Sequence, residues 1–165
     1  MDNMKKVSLI SIMLFLGCLI IMAAPKVKQG NKKSGSGVNP SIIIGHTYTK
    51  YNAKISDPEL AAAYDNGTFR LIIDVSVHFV DAKEMELTLS VDIESDYYTQ
   101  EELDQVLDAM RNQMETTTLE DYYVKNGNIY IYGQKAPVAV INSGGKSITF
   151  KTWPPFNGNT LNLEY

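Results

Sequence analysis

Cysteine is almost missing from this 165-residue chain: Cys18 is the only one. Everything after it lacks both a disulfide staple and a thiol nucleophile. That part must rely on a hydrophobic core, which roughly 125–140 residues can supply. Histidine is confined to His46 and His78, far apart and both in strand-like segments, so no metal centre is expected from them. Gly (11 residues) and Pro (6 residues) are too few for a collagen-like or low-complexity fibre. The near-average hydrophobic and charged content argues against a multi-span membrane protein. What is abundant is tyrosine, with 10 residues against one Trp and 5 Phe. Hydrophobic residues at 44% and charged residues at 21% are ordinary for a folded globular chain.

Charge divides along the chain. Residues 25–40 hold Lys26, Lys28, Lys32 and Lys33 and no acid. From Ser41 onward, 9 Lys and Arg stand against 18 Asp and Glu, a net charge of −9. An acidic domain repels a phosphate backbone, so nucleic acid is not an expected partner.

The N-terminus has the order of an export signal: Lys5-Lys6, the uncharged run Val7–Ala24, and Ala23-Ala24 at its end. Three readings stand for residues 1–24. They are a cleaved signal peptide, an uncleaved inner-membrane anchor formed by residues 7–24, or a lipid attached at Cys18 after Leu16-Gly17. The expected location is exported, in periplasm, cell envelope or extracellular space. The alternative is an inner-membrane anchor formed by residues 7–24, for which the four Lys after the run would hold the following side in the cytoplasm. Residues 25–40, rich in Lys, Gly, Ser and Asn, read as a flexible linker. One domain is expected from 41 to 165.

Its strongest signal is the alternation of Phe69, Leu71, Ile73, Val75, Val77 and Phe79 with mainly polar residues. The alternation resumes after Asp81–Glu84 with Met85, Leu87, Leu89, Val91 and Ile93. Period two over this length predicts an antiparallel hairpin with one face on a core. Asn126-Gly127 predicts a second hairpin across Tyr122–Tyr132, because a two-residue turn needs positive φ angles. That turn pairs Val124 with Ile129, Tyr123 with Tyr130 and Tyr122 with Ile131. Tyr123, Tyr130 and Tyr132 then share one face. Further strands are expected at Ile42–Tyr51, Val138–Asn142, Ile148–Trp153 and Thr160–Tyr165. Capping signatures at Ser56-Asp57-Pro58-Glu59 and Thr99-Gln100-Glu101-Glu102 predict a short helix and a longer amphipathic one. The longer helix carries Leu103, Val106, Leu107, Met110 and Met114 on one stripe. The order β-α-ββ-α-βββββ predicts a mainly β protein, an antiparallel meander of about eight strands closing into a barrel. An open antiparallel sheet packed on the long helix is the alternative.

The leader, the Gly45-His46-Thr47-Tyr48 opening, the Phe69–Ile93 hairpin, the Asn126-Gly127 hairpin and the closing Thr160–Leu163 strand together resemble small lipocalin-like proteins of the bacterial cell envelope, of the kind found in Bacteroidetes. In those families the opening strand often bears Gly-x-Trp, where this chain has Gly45-His46-Thr47. The resemblance implies a fold more than an activity.

No catalytic pattern stands out. Asp92–Asp96 alternates acids but has Tyr97 and Leu103 where a calcium loop needs Gly and Glu. Ser143–Ser147 ends like a phosphate loop but lacks the earlier Gly and the following helix. The expected role is therefore non-enzymatic binding, with no cofactor or metal. Two sites suggest themselves. Phe79, Met85, Leu87, Leu89 and Val91 would line a barrel interior holding a small apolar or amphiphilic molecule. Tyr123, Tyr130 and Tyr132, joined by Trp153 and by Tyr97 and Tyr98, would form an aromatic surface for an envelope protein. The alternatives are a carboxylate-dependent, carbohydrate-active hydrolase and a structural or assembly subunit acting only through protein contacts.

Overall fold

The computed structural model describes residues 39–165, apart from Asn66, Pro154, Pro155 and Tyr165. The leader, Cys18 and nearly all of the Lys-rich linker lie outside the described residues.

Eight antiparallel strands close into a barrel in sequential order. They are β1 (Thr47–Lys50), β2 (Arg70–Phe79), β3 (Glu84–Glu94), β4 (Thr116–Lys125), β5 (Asn128–Ile131), β6 (Ala139–Ile141), β7 (Ser147–Phe150) and β8 (Thr160–Leu163). β8 returns to β1 through Tyr48↔Leu163 and Thr49↔Asn162, which closes the ring. Helix α1 (Pro58–Tyr64) follows β1, and helix α2 (Gln100–Met114) lies between β3 and β4. This is the expected order, and the closed form rather than the open sheet.

The alternating hairpin forms as its pattern requires. β2 and β3 pair over ten positions, from Arg70↔Glu94 to Phe79↔Met85. In β2 every second residue from Leu71 to Phe79 is buried, while Ile72, Asp74, Ser76 and His78 are half-buried on the outside. The hairpin turn is held by Asp81, whose carboxylate accepts the backbone N–H groups of Lys83 and Glu84. Those two bonds favour the ionised form and hold the Asp81 pKa below its ordinary value.

At Asn126-Gly127 both residues adopt positive φ, 51° and 73°, and the pairing is Tyr122↔Ile131, Tyr123↔Tyr130 and Val124↔Ile129. The turn chemistry thus sets the register as expected. Helix α2 carries a full capping box: the Thr99 side chain accepts the Glu102 N–H and Glu102 reaches back to the Thr99 N–H. Its Leu103, Leu107, Met110 and Met114 are buried, with Val106 packed beside them. Phe69, just before β2, and Ile93 of β3 line a small cavity together with Leu103, Val106 and Met110, so α2 covers that end of the barrel.

Several boundaries differ from expectation. Helix α1 is capped by Asp57 rather than Ser56; the Asp57 carboxylate accepts from Glu59 and Leu60, and Pro58 opens the helix. β1 is only four residues, because residues 40–42 form a 3₁₀ turn and Gly45 takes φ 75°. β7 ends at Phe150, short of Trp153. The largest difference is β4, which begins at Thr116, six residues before the Tyr122 start expected from the hairpin.

The interior is one continuous cluster of apolar side chains. At its centre Phe79, 0% exposed, meets the edges of Tyr48 and Tyr122 at ring separations of 5.7 and 5.1 Å. Each tyrosine satisfies its hydroxyl on a backbone carbonyl: Tyr48 donates to Gly145, and Tyr122 donates to Asp81 at 2.7 Å. Two aromatic bodies with polar tips therefore fill the barrel without stranding a donor.

Candidate functional site

The two sites expected from the sequence sit on opposite sides of one wall. Inside it, Phe79, Met85 and Val91 belong to the buried core, while Leu87 and Leu89 are half-buried and packed against that core. Their side chains are engaged with neighbours. Beneath α2, Phe69, Ile93, Tyr98, Leu103, Val106 and Met110 surround a small apolar cavity of about 20 Å³. That is room for about one water, whereas sites for drug-sized ligands measure roughly 300–1,000 Å³.

Outside the wall, the register of β4 and β5 brings the tyrosines together. The rings of Tyr123 and Tyr130 stack at 5.0 Å with planes 6° apart, and Tyr132 leans on Tyr123 at 5.1 Å. Burial among these rings, and the two adjoining phenols, push the Tyr123 hydroxyl above its usual pKa. Tyr132 is 37% exposed.

Trp153 is not with them. It is buried, 8% exposed, and packs on Phe150 at 5.5 Å, so it serves the core rather than a surface. Proximity to Pro154-Pro155 in sequence gives no signal of which way that indole points. Tyr97 and Tyr98 are also separate, beyond the end of β3 next to α2, with Tyr97 exposed and Tyr98 lining the cavity.

The structure adds residues that the sequence pattern did not single out. β4 pairs with β3 through Glu84↔Asp121, Glu86↔Leu119 and Thr88↔Thr117. Residues directly paired share a face, and the Thr88 and Thr117 hydroxyls, 3.3 Å apart, confirm it. Alternation then puts Thr117, Leu119 and Asp121 on the same outer face as Tyr123. Leu119 is 60% exposed, a large apolar side chain next to the aromatic group. Glu84, Glu86 and Asp121 flank it; neither observed ion pair, Arg70–Glu94 or Arg111–Glu115, involves them.

At the other end of this sheet, Arg70, Glu94, Asp96 and Tyr97 line an open polar depression of about 200 Å³, spanned by the Arg70–Glu94 pair. Among the described residues, no three His, Cys, Asp or Glu come together in an arrangement that would hold a metal ion. No helix among them is long and apolar enough to cross a membrane.

No family model, curated protein or solved structure matches the chain. A closed eight-stranded barrel is compatible with a binding protein.

Proposed function

We propose that this protein is a non-enzymatic binding module of the bacterial cell envelope, of lipocalin-like build, that holds a protein partner on the outer face of β4 and β5. The observation that carries the reading is the pre-stacked group Tyr123, Tyr130 and Tyr132 beside exposed Leu119. Stacked tyrosines have already lost much of their rotamer freedom, so a partner gains their contact area at a low entropic cost. Isolated exposed apolar residues are ordinary, but an aromatic cluster that shares its sheet face with an exposed leucine is a candidate interface. The Tyr48–Phe79–Tyr122 filling of the interior favours this face over a ligand carried inside the barrel. The export-signal order of residues 5–24 supports the envelope as the compartment.

The test is site-specific photo-crosslinking in the native cell, with a benzophenone side chain in place of Tyr132 or, as a control, Tyr97. The proposal expects one discrete protein adduct from position 132 and none from 97. Adducts of equal yield at both positions, or none at 132, would reject it.

A further inference from the structure

The tyrosine face ends at an uncovered strand edge. β5 accompanies β4 only as far as Tyr122↔Ile131, followed by the Tyr132 N–H bonding to the Asp121 carbonyl at 2.9 Å. The chain then turns away, with the Gln134 N–H on the Ile131 carbonyl and the Val138 N–H on the Ile129 carbonyl. Among the described residues no strand pairs with Thr116–Glu120 on that side, and Thr116, Thr117, Thr118 and Leu119 are all exposed.

The direction of the free backbone groups follows from the ladder. The Tyr122 N–H points to β3, where it bonds the Lys83 carbonyl at 2.7 Å. Backbone groups alternate in direction along a strand, so those of Thr116, Thr118 and Glu120 also face β3. Those of Thr117 and Leu119 face the open side. A run of unpaired donors and acceptors in a β-branched stretch without Pro or Lys is a template for another strand.

The charge around this edge selects the occupant. Among the described residues Glu84, Glu86 and Asp121 stand on the outer face without an ion pair, and the residues from 41 onward carry a net charge of −9. Two copies joined edge to edge would bring these carboxylates together, which opposes self-pairing. Aromatic faces beside carboxylates instead suit Lys or Arg side chains, held by both ring and charge. From this we infer that Thr116–Glu120 accepts an extended, basic segment of a partner protein as an added strand. Its backbone bonds Thr117 and Leu119, and its alternate cationic side chains lie over Tyr123, Tyr132 and the three carboxylates. The inference rests on the tyrosine face being the partner site and adds the mode and chemistry of capture.

The test titrates the full-length chain with synthetic capped peptides and follows binding by fluorescence anisotropy. The probe is Thr-Lys-Val-Lys-Thr-Lys. The comparisons are its Glu-for-Lys counterpart and a copy N-methylated at alternate residues, which lacks the N–H donors on one edge. On the protein side Thr117→Pro removes the edge donor at a place where a strand tolerates proline. The basic peptide is expected to bind, more weakly as salt rises. Thr117→Pro is expected to weaken it about tenfold, the loss of one well-made hydrogen bond, and N-methylation by more, because it removes the donors to both the Thr117 and the Leu119 carbonyls. The N-methylated peptide leaves the protein intact, so a folding defect in the variant does not blur the result.

Binding that survives both changes but is lost in Tyr123→Ser would overturn strand addition and leave the tyrosine face standing. Equal binding of the Glu peptide would overturn the cationic occupant. Absence of peptide binding, with a dimer that Thr117→Pro dissociates, would assign the edge to a second copy instead.

Discussion

Phe79 is the residue on which the barrel interior turns. Its ring touches Tyr48 from β1 and Tyr122 from β4, so one side chain joins three strands that are far apart in sequence. Removing a fully buried phenyl ring costs its transfer free energy plus that of the space left behind. Phe79→Ala is therefore expected to lower stability by about 3–5 kcal/mol in urea unfolding. Tyr122 adds a dependence on pH. Burial, and secondarily the nearby Asp81 charge, raise its pKa to about 12 from 10.0. A raised folded-state value means the stabilisation is complete below pH 10 and is lost as pH climbs toward 12. Tyr122→Phe should destabilise the protein at neutral pH by about 0.5–1.5 kcal/mol, the worth of the bond to Asp81. Between pH 10 and 12 the gap to the wild type should close. A gap that stays constant across that range would mean that the Tyr122 pKa is not raised in the folded state.

Among elements, the loops at the α2 end of the barrel are joined by one buried amide. Asn159, before β8, accepts the Lys54 N–H at 3.0 Å and donates to the carbonyls of Lys54 and Phe156. It thereby ties the segment after β1 to the one before β8, 105 residues away. Asn159→Ala is expected to cost about 1–3 kcal/mol and to raise hydrogen exchange first at the Lys54 amide. Unchanged protection at Lys54 would show that the tie is not what orders this loop. The elements also differ in how far their sequences announce them. β2 and β3 were legible because each has one face in the core, so burial and alternation coincide. The β4–β5 register was legible because Asn126-Gly127 admits only one short turn. The start of β4 was not: Thr116, Thr118 and Glu120 alternate with the outer face but lie beyond the reach of β5, and Thr116 to Leu119 are all exposed, so Thr-Thr-Thr-Leu-Glu carries no alternation of burial. The same missing neighbour creates the free edge. The feature hidden from the pattern is thus the one that extends the tyrosine face.

For the whole molecule, closure and filling decide where function can reside. Three long strands, β2 to β4, meet five short ones, and α2 covers the end where the long strands project. Polar residues face outward along β2 and β3, and an apolar cluster occupies the inside. An eight-stranded barrel has room for packed side chains or one small ligand, and here aromatic rings occupy the middle. The interior set Phe79, Met85 and Val91 was legible as inward-facing from alternation alone. Whether such residues line a hollow or fill it depends on ring sizes from distant strands, which no local pattern encodes. Trp153 illustrates the same limit: its burial against Phe150 is set by tertiary packing after β7 has ended. The central claim, a filled barrel that works through its outer wall, is tested most directly by native mass spectrometry of the chain isolated gently from its own cell. The account predicts the bare polypeptide mass, or that mass plus a protein partner. An added mass of a few hundred daltons that disappears on denaturation would contradict it, because a small molecule would then occupy the space assigned to Tyr48, Phe79 and Tyr122.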